Sequence, residues 1–178
     1  VTWFVNAQKD EGLRPKHLKD DGDPTRRQMI RLYEAYEDAG RRNGVVDFAE
    51  LLLRSYELWR ESPGLVEHYR ARFGHVLVDE FQDTNTIQYN WMKVLVGTSG
   101  IPFVVGDDDQ SIYRWRGARV ENLQQFRRDF PGVQLCRLEQ NYRSTGTILA
   151  AANAIIAMNS GRIGKKLWTE GGKGEPIR

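Results

Sequence analysis

An α/β fold with a parallel sheet flanked by helices, preceded by an α-helical segment, is what this 178-residue chain predicts. Helical periodicity fills the stretch before residue 74. From His75 onward, short apolar runs alternate with amphipathic stretches, the pattern of strand–helix–strand units with crossover connections. Acidic or polar loops follow each apolar run, and ligand crevices of such sheets open just past the carboxyl ends of the strands.

Lys9 to Asp23 is polar and carries Pro15 and two glycines, so an irregular excursion is expected there. Thr25 and Gln28 match a capping box. Met29, Leu32, Tyr33 and Tyr36 then recur at helical spacing until Gly40 and Gly44 interrupt it. Asp47 and Glu50 form a second box ahead of Phe48, Leu51, Leu52, Tyr56 and Trp59, a stripe that stops at Ser62-Pro63-Gly64. A third helix carries Leu65, Val66, Tyr69 and Phe73. At 3.6-residue spacing these aromatics fit a core face better than a base-stacking surface.

Strand 76–80 comes next, followed by a helix with Ile87, Trp91, Val94 and Leu95 that ends in Gly97 to Gly100. A second strand, Pro102 to Gly106, runs into Asp107-Asp108-Asp109. A helix bearing Val120, Leu123, Phe126 and Phe130 ends at Pro131-Gly132. A third strand is expected at 133–138, with Cys136 buried in it as a small hydrophobe. A helix with Ile148, Leu149, Ala152, Ile155 and Ile156 follows, and the glycines between 171 and 174 read as a flexible connection.

Composition narrows the function classes. Hydrophobic residues make up 40% and charged residues 28%, as in soluble globular proteins. No apolar run approaches the roughly 20 residues of a membrane span, and no signal peptide opens the chain. A single cysteine excludes an internal disulfide framework and fits a reducing compartment, so the expected location is cytoplasmic. The net charge of +2 is too small to mark a polyanion partner by itself, so nucleic-acid binding would need local placement of Arg and Lys. The chain opens on Val-Thr-Trp without an initiator Met, which leads us to expect part of a larger protein.

Three post-strand loops carry the chemistry. The first holds Asp79, Glu80, Gln82 and Asp83 after the run Val76-Leu77-Val78. Adjacent carboxylates here suit a Mg²⁺ on nucleotide phosphates and a positioned water; the plain alternative is capping of the next helix. The second loop, Gly106 to Ala118, holds Gln110, a neutral amide able to sense a phosphate or water. It also holds Tyr113, Trp115 and Arg116, an aromatic–cation run of the kind that stacks and pairs with single-stranded nucleic acid; packing plus a surface ion pair is the alternative. The third, Leu138 to Ser144, holds Arg143, either a helix-cap ion pair or an arginine that neutralises a transferring phosphoryl group.

Asp79-Glu80-Phe81-Gln82-Asp83-Thr84, the Gly106–Ala118 segment and Gln140-Asn141-Tyr142-Arg143-Ser144, in this order and spacing, resemble the UvrD/Rep/PcrA-type superfamily 1 DNA helicases, the UvrD branch above all. Asp47-Phe48 and the segment Gly161 to Trp168 are similar too, so the resemblance covers nearly the whole chain. It implies a partial RecA-like sheet of the P-loop NTPase type. Residues 1–74 would close a helical inserted subdomain, 75–139 would form the C-terminal part of a first motor domain, and 140–178 would begin a second.

The same resemblance implies ATP and Mg²⁺ as cofactors. Asp79 would hold the metal through its water shell, and Glu80 would be the general base. Gln110 would contact the γ-phosphate, and Arg143 would be the arginine finger. Tyr113, Trp115 and Arg116 would contact DNA, Trp115 as stacking platform. The partners implied are single-stranded DNA, single/double-strand junctions and repair proteins, with no membrane. The activity would be ATP-driven 3′–5′ translocation and unwinding in repair or replication. The phosphate-cradling string Gly-x-x-x-x-Gly-Lys-Ser/Thr does not occur in these 178 residues, so the chain alone is expected to hydrolyse ATP negligibly and to self-associate through exposed sheet edges. Two other readings stand beside this one. One is a two-metal nuclease or phosphohydrolase built on Asp79, Glu80, Asp107, Asp108 and Asp109; the other is a non-catalytic module binding single strands or a partner protein.

Overall fold

The computed structural model describes residues 1–160 and 162–177. Gly161, which opens the Gly161–Trp168 segment, therefore lies outside the described residues. The chain divides into two compact units: Val1–Asp107 with Ser111–Gln125, and Asp108–Gln110 with Phe126–Arg178. Among the described residues no helix is long and apolar enough to cross a membrane.

The first unit opens with a helix that the sequence reading did not separate from its surroundings, α1 (Thr2–Asp10), and continues through α2 (Pro24–Asn43), α3 (Phe48–Glu61) and α4 (Pro63–Arg72). The cap of α2 lies two residues earlier than expected. Asp23, in extended conformation, accepts from the Thr25 N–H at 2.9 Å, and Pro24 takes the first helical position, where its missing donor costs nothing. We expect Asp23→Ala to lower stability by about 1 kcal/mol and Thr25→Ala to change it by a few tenths at most. Matching urea midpoints for the two variants would contradict this assignment.

Asp47 does cap α3, accepting from the Glu50 N–H at 2.6 Å. The expected buried stripe of α3 is rotated, however. Phe48 is 92% exposed and Leu51 is exposed, whereas Leu53, Trp59 and the acidic Glu50 are buried. Glu50 goes inside because cations meet it there. The buried Lys9 ammonium lies 2.9 Å from it, Arg14 reaches it at 2.8 Å and Arg54 at 2.6 Å. Arg14, in the loop after α1, also binds Glu37 and Glu57, so α1, α2 and α3 are pinned together through charge-assisted bonds. Burial alone would raise the Glu50 carboxyl; the bonds from Lys9, Arg54 and Arg14 overcome it and hold the group at about 2.

The apolar core sits between α3, α4 and α5 (Thr86–Val96). Trp59, Val66 and Leu95 are buried together, and Trp59 stacks on Trp91 with ring centroids 4.2 Å apart. The N-terminal aromatics Trp59 and Tyr69 are thus core, as their spacing predicted.

Two strands, β1 (His75–Val78) and β2 (Ile101–Val104), pair in parallel with His75 opposite Ile101 and Val78 opposite Val104, and α5 connects them. They are not buried on both faces. Leu77 is 73% and Phe103 is 60% exposed, while Val76 and Val78 turn inward. The continuous apolar run therefore hides a half-exposed strand, since only one face meets α5. The parallel α/β class holds, with a sheet of two strands among the described residues.

In the second unit the expected strand 133–138 is irregular, and Leu135, Leu138 and Cys136 are exposed. Alternating apolar residues need a neighbouring strand to make a ladder, and among the described residues the pairing near them is an isolated parallel bridge, Gln140 to Trp168. α6 (Glu121–Asp129) precedes this stretch and α7 (Gly146–Ile156) follows it. On α7 only Leu149 of the expected stripe is buried, and Ile155 is 71% exposed. Asn153 instead fixes the helix, donating to Leu167 O at 2.8 Å and accepting from Leu167 N at 3.2 Å.

Candidate functional site

In the first unit the parallel ladder does not stop at the ends of β1 and β2. Val105 N–H donates to Val78 O at 2.8 Å and Phe81 N–H to Val105 O at 2.9 Å. Between those two bonds the chain must lift Asp79 and Glu80 out of the sheet. It does so with Glu80 in the left-handed region, φ 48°, ψ 40°, one of two non-glycine residues with positive φ among those described. Such a backbone costs of order 1 kcal/mol and persists only where the surroundings fix it. Here Phe81, fully buried, anchors the following 3₁₀ turn (Phe81–Asp83) and meets Tyr89 edge-on at 6.1 Å.

Both carboxylates are exposed. One oxygen of Asp79 accepts from the Glu80 N–H at 2.9 Å. Neither acid caps α5; Asn85 does that, exchanging bonds with Gln88 at 3.0 Å in both directions. The Gln82 side chain is buried, and its amide donates to Glu80 Oε2 at 2.7 Å and accepts from the Asp107 N–H at 2.8 Å. Asp83 Oδ1 is buried without a hydrogen-bond partner among the described residues. A lone exposed carboxylate such as Asp79 suits a hard cation that keeps most of its waters, as Mg²⁺ does. An exposed carboxylate beside it, held at one oxygen, can take a proton at the other.

The aromatic–cation run belongs to the same unit. A short 3₁₀ turn, Arg114–Arg116, is closed by Gly117 in the left-handed region (φ 85°), and Ala118 and Arg116 both donate back to Tyr113 O. Ala118 is buried and Arg119 N–H bonds Thr84 O at 2.9 Å, so the turn is tied to the residues that follow the acid pair. On this base Trp115 stands 70% exposed, with the Arg116 guanidinium 4.5 Å from its ring centre and 4.9 Å from that of Tyr113. Trp115 is at the surface of this chain, and the pair it makes with Arg116 is cation–π rather than ionic.

In the second unit Gln110 ends the 3₁₀ turn Asp108–Gln110 and is exposed. Its two acidic neighbours are engaged by protein donors. Arg162 forks onto Asp109, with Nε 2.8 Å from Oδ1, and the Ile163 N–H bonds Asp108 at 2.6 Å. Arg162 engages both oxygens of Asp109, so a metal using that carboxylate would compete with this ion pair. Arg143 sits in an Asx turn, where Asn141 Oδ1 accepts from the Arg143 and Ser144 N–H groups at 2.9 and 2.7 Å. Its guanidinium is exposed and makes no ion pair among the described residues, so it is not a helix-cap salt bridge. What the sequence did not reveal is the Gln82 bridge. Its one signal is Gly106: a Cβ there would stand 2.8 Å from Gln82 Oε1, so a larger residue would have to push the amide aside.

The UvrD/REP helicase N-terminal domain family matches residues 1–131. DNA helicase II of Escherichia coli K12 is 60% identical over 98% of the chain, and that of Salmonella typhimurium is 61% identical over 98%. ATP-dependent DNA helicase UvrD1 of Mycobacterium bovis is 46% identical over 97%. In each case the chain spans 24% of the relative's length, so it corresponds to about a quarter of these proteins. With the family pattern running from Val1 through the acid pair and the Trp115 turn, the chain belongs to the UvrD/REP helicase family.

Proposed function

We propose that this chain supplies the hydrolytic acid pair and a strand-contacting loop to an ATP-dependent 3′–5′ DNA helicase acting in DNA repair or replication. The observation that carries the reading is the lift of Asp79 and Glu80 out of the end of a parallel ladder, with exposed carboxylates on a fixed backbone. That is where α/β sheets bind nucleotides.

In this reading Asp79 holds the water shell of a Mg²⁺ whose charge neutralises the nucleotide phosphates. Glu80 orients the attacking water and takes its proton. Gln110 contacts the γ-phosphate, and Arg143 presents its guanidinium to the charge that develops on the transferring group. Tyr113, Trp115 and Arg116 grip single-stranded DNA at or near a junction with duplex, Trp115 by stacking on a base and Arg116 by meeting phosphate.

Trp115 gives the direct test of the strand-contacting role. In the full-length protein carrying this chain, Trp115→Ala is expected to weaken single-strand binding by about 1–3 kcal/mol, in line with one lost base stack. The melting temperature should stay put, because the side chain is at the surface. Fluorescence anisotropy with a short oligonucleotide and a thermal melt check both. Unchanged affinity would sink the stacking role.

A further inference from the structure

We infer that Gln82 is a positioning residue that holds the Glu80 carboxylate in its working orientation and ties it to the loop after β2; the inference rests on the reading of Glu80 as general base. Glu80 is exposed, and an exposed glutamate ordinarily samples several rotamers. This one is held at each of its polar backbone groups and at one carboxylate oxygen. Its N–H donates to Asp79 Oδ1 at 2.9 Å, its carbonyl accepts from the Asp83 N–H at 2.9 Å, and its Oε2 accepts from the Gln82 amide at 2.7 Å. The carboxylate therefore has Oε1 left for a proton.

Gln82 can do this because it is itself immobile. It is 1% exposed, and its amide oxygen is fixed by the Asp107 N–H at 2.8 Å. Gly106 makes room for that approach. A buried amide with donor and acceptor both satisfied is rigid, and it fixes the position of whatever it touches. Here one end touches the acid and the other the backbone that opens the Gly106–Ala118 segment. A shift of the backbone at Asp107 is thereby felt at Glu80 through the single Gln82 side chain.

The test uses Gln82→Met in the full-length protein, a side chain of similar length that makes neither bond. Single-turnover and steady-state ATP hydrolysis with saturating single-stranded DNA should show kcat lowered about 10²-fold, the scale of a misplaced reacting group, with KM for ATP unchanged. In a Glu80→Gln background the same change should alter the residual rate by no more than about 2-fold, because there is no base left to misplace. If Gln82→Met fails to fold, Gln82→Asn takes its place, keeping a neutral amide in the pocket but one methylene too short to reach both Glu80 and the Asp107 N–H. Unchanged kcat, or an equal loss in both backgrounds, would overturn the inference and leave Gln82 a structural amide. Failure of the parent reading looks different: Glu80→Gln alone would then retain normal turnover.

Discussion

Replacing Glu80 by Gln in the full-length protein is expected to cut DNA-stimulated ATP hydrolysis by about 10²–10⁴-fold while nucleotide and DNA binding stay intact. That span is the usual contribution of a positioned general base, about 3–5 kcal/mol of barrier. The substitution is chosen because it keeps the shape. The Gln82 amide can still donate to an amide oxygen at position 80, and the backbone bonds of residue 80 to Asp79 and Asp83 do not involve its side chain. What is lost is the ability to take a proton. A role in metal or nucleotide binding would instead raise KM, since removing a ground-state contact weakens binding before it slows chemistry. Steady-state kinetics with saturating oligonucleotide, paired with a fluorescent-nucleotide titration, separates the two. A variant that keeps more than about a tenth of the rate is not missing its general base.

How much of this site was legible in the sequence depends on how local each feature is. The acid pair, its strand and the following helix are set by neighbours a few residues away, and β1, the acids and α5 stand where the pattern put them. The Trp115 turn is local too, closed by Gly117 and Ala118. Features that depend on distant partners were misread. The face of α3 turns on Glu50, whose burial needs Lys9 and Arg14, some forty residues earlier in the chain. Residues 133–138 have the alternation of a strand, but a strand is a property of a pair and among the described residues no ladder partner comes to them. Gln82 read as one more polar residue after the acids because its acceptor bond comes from Asp107, across the sheet.

The helical layer offers the second large effect. Glu50→Leu is expected to destabilise the chain by about 3–5 kcal/mol at neutral pH, the usual result of removing one partner from a buried ion cluster. An exposed ion pair would contribute less than about 1 kcal/mol, but the Lys9 and Glu50 side chains are 2% and 6% exposed. Without Glu50, Lys9 keeps the Asp47 carboxylate at 2.8 Å and the Tyr36 ring at 5.0 Å, and Arg14 keeps Glu37 and Glu57. The leucine adds apolar area, yet a buried ammonium facing half its counter-charge outweighs that gain. The pH dependence gives an independent check. The Glu50 carboxyl is held at about 2 in the folded chain, below the ordinary 4.5, so its stabilisation is complete above pH 4.5 and disappears as pH falls toward 2. That depression corresponds to about 3 kcal/mol. Urea unfolding followed from pH 7 to pH 2 should therefore show a steep acid limb in the unmodified chain and a shallower one in Glu50→Leu, the two curves converging at low pH. Removing the under-compensated cation as well, in Lys9→Met with Glu50→Leu, should recover part of the loss, because the penalty lies in the half-paired buried charge and not in the missing carboxylate. Parallel acid limbs, or a double variant no more stable than the single one, would mean that the cluster is held by packing and that its charges are incidental.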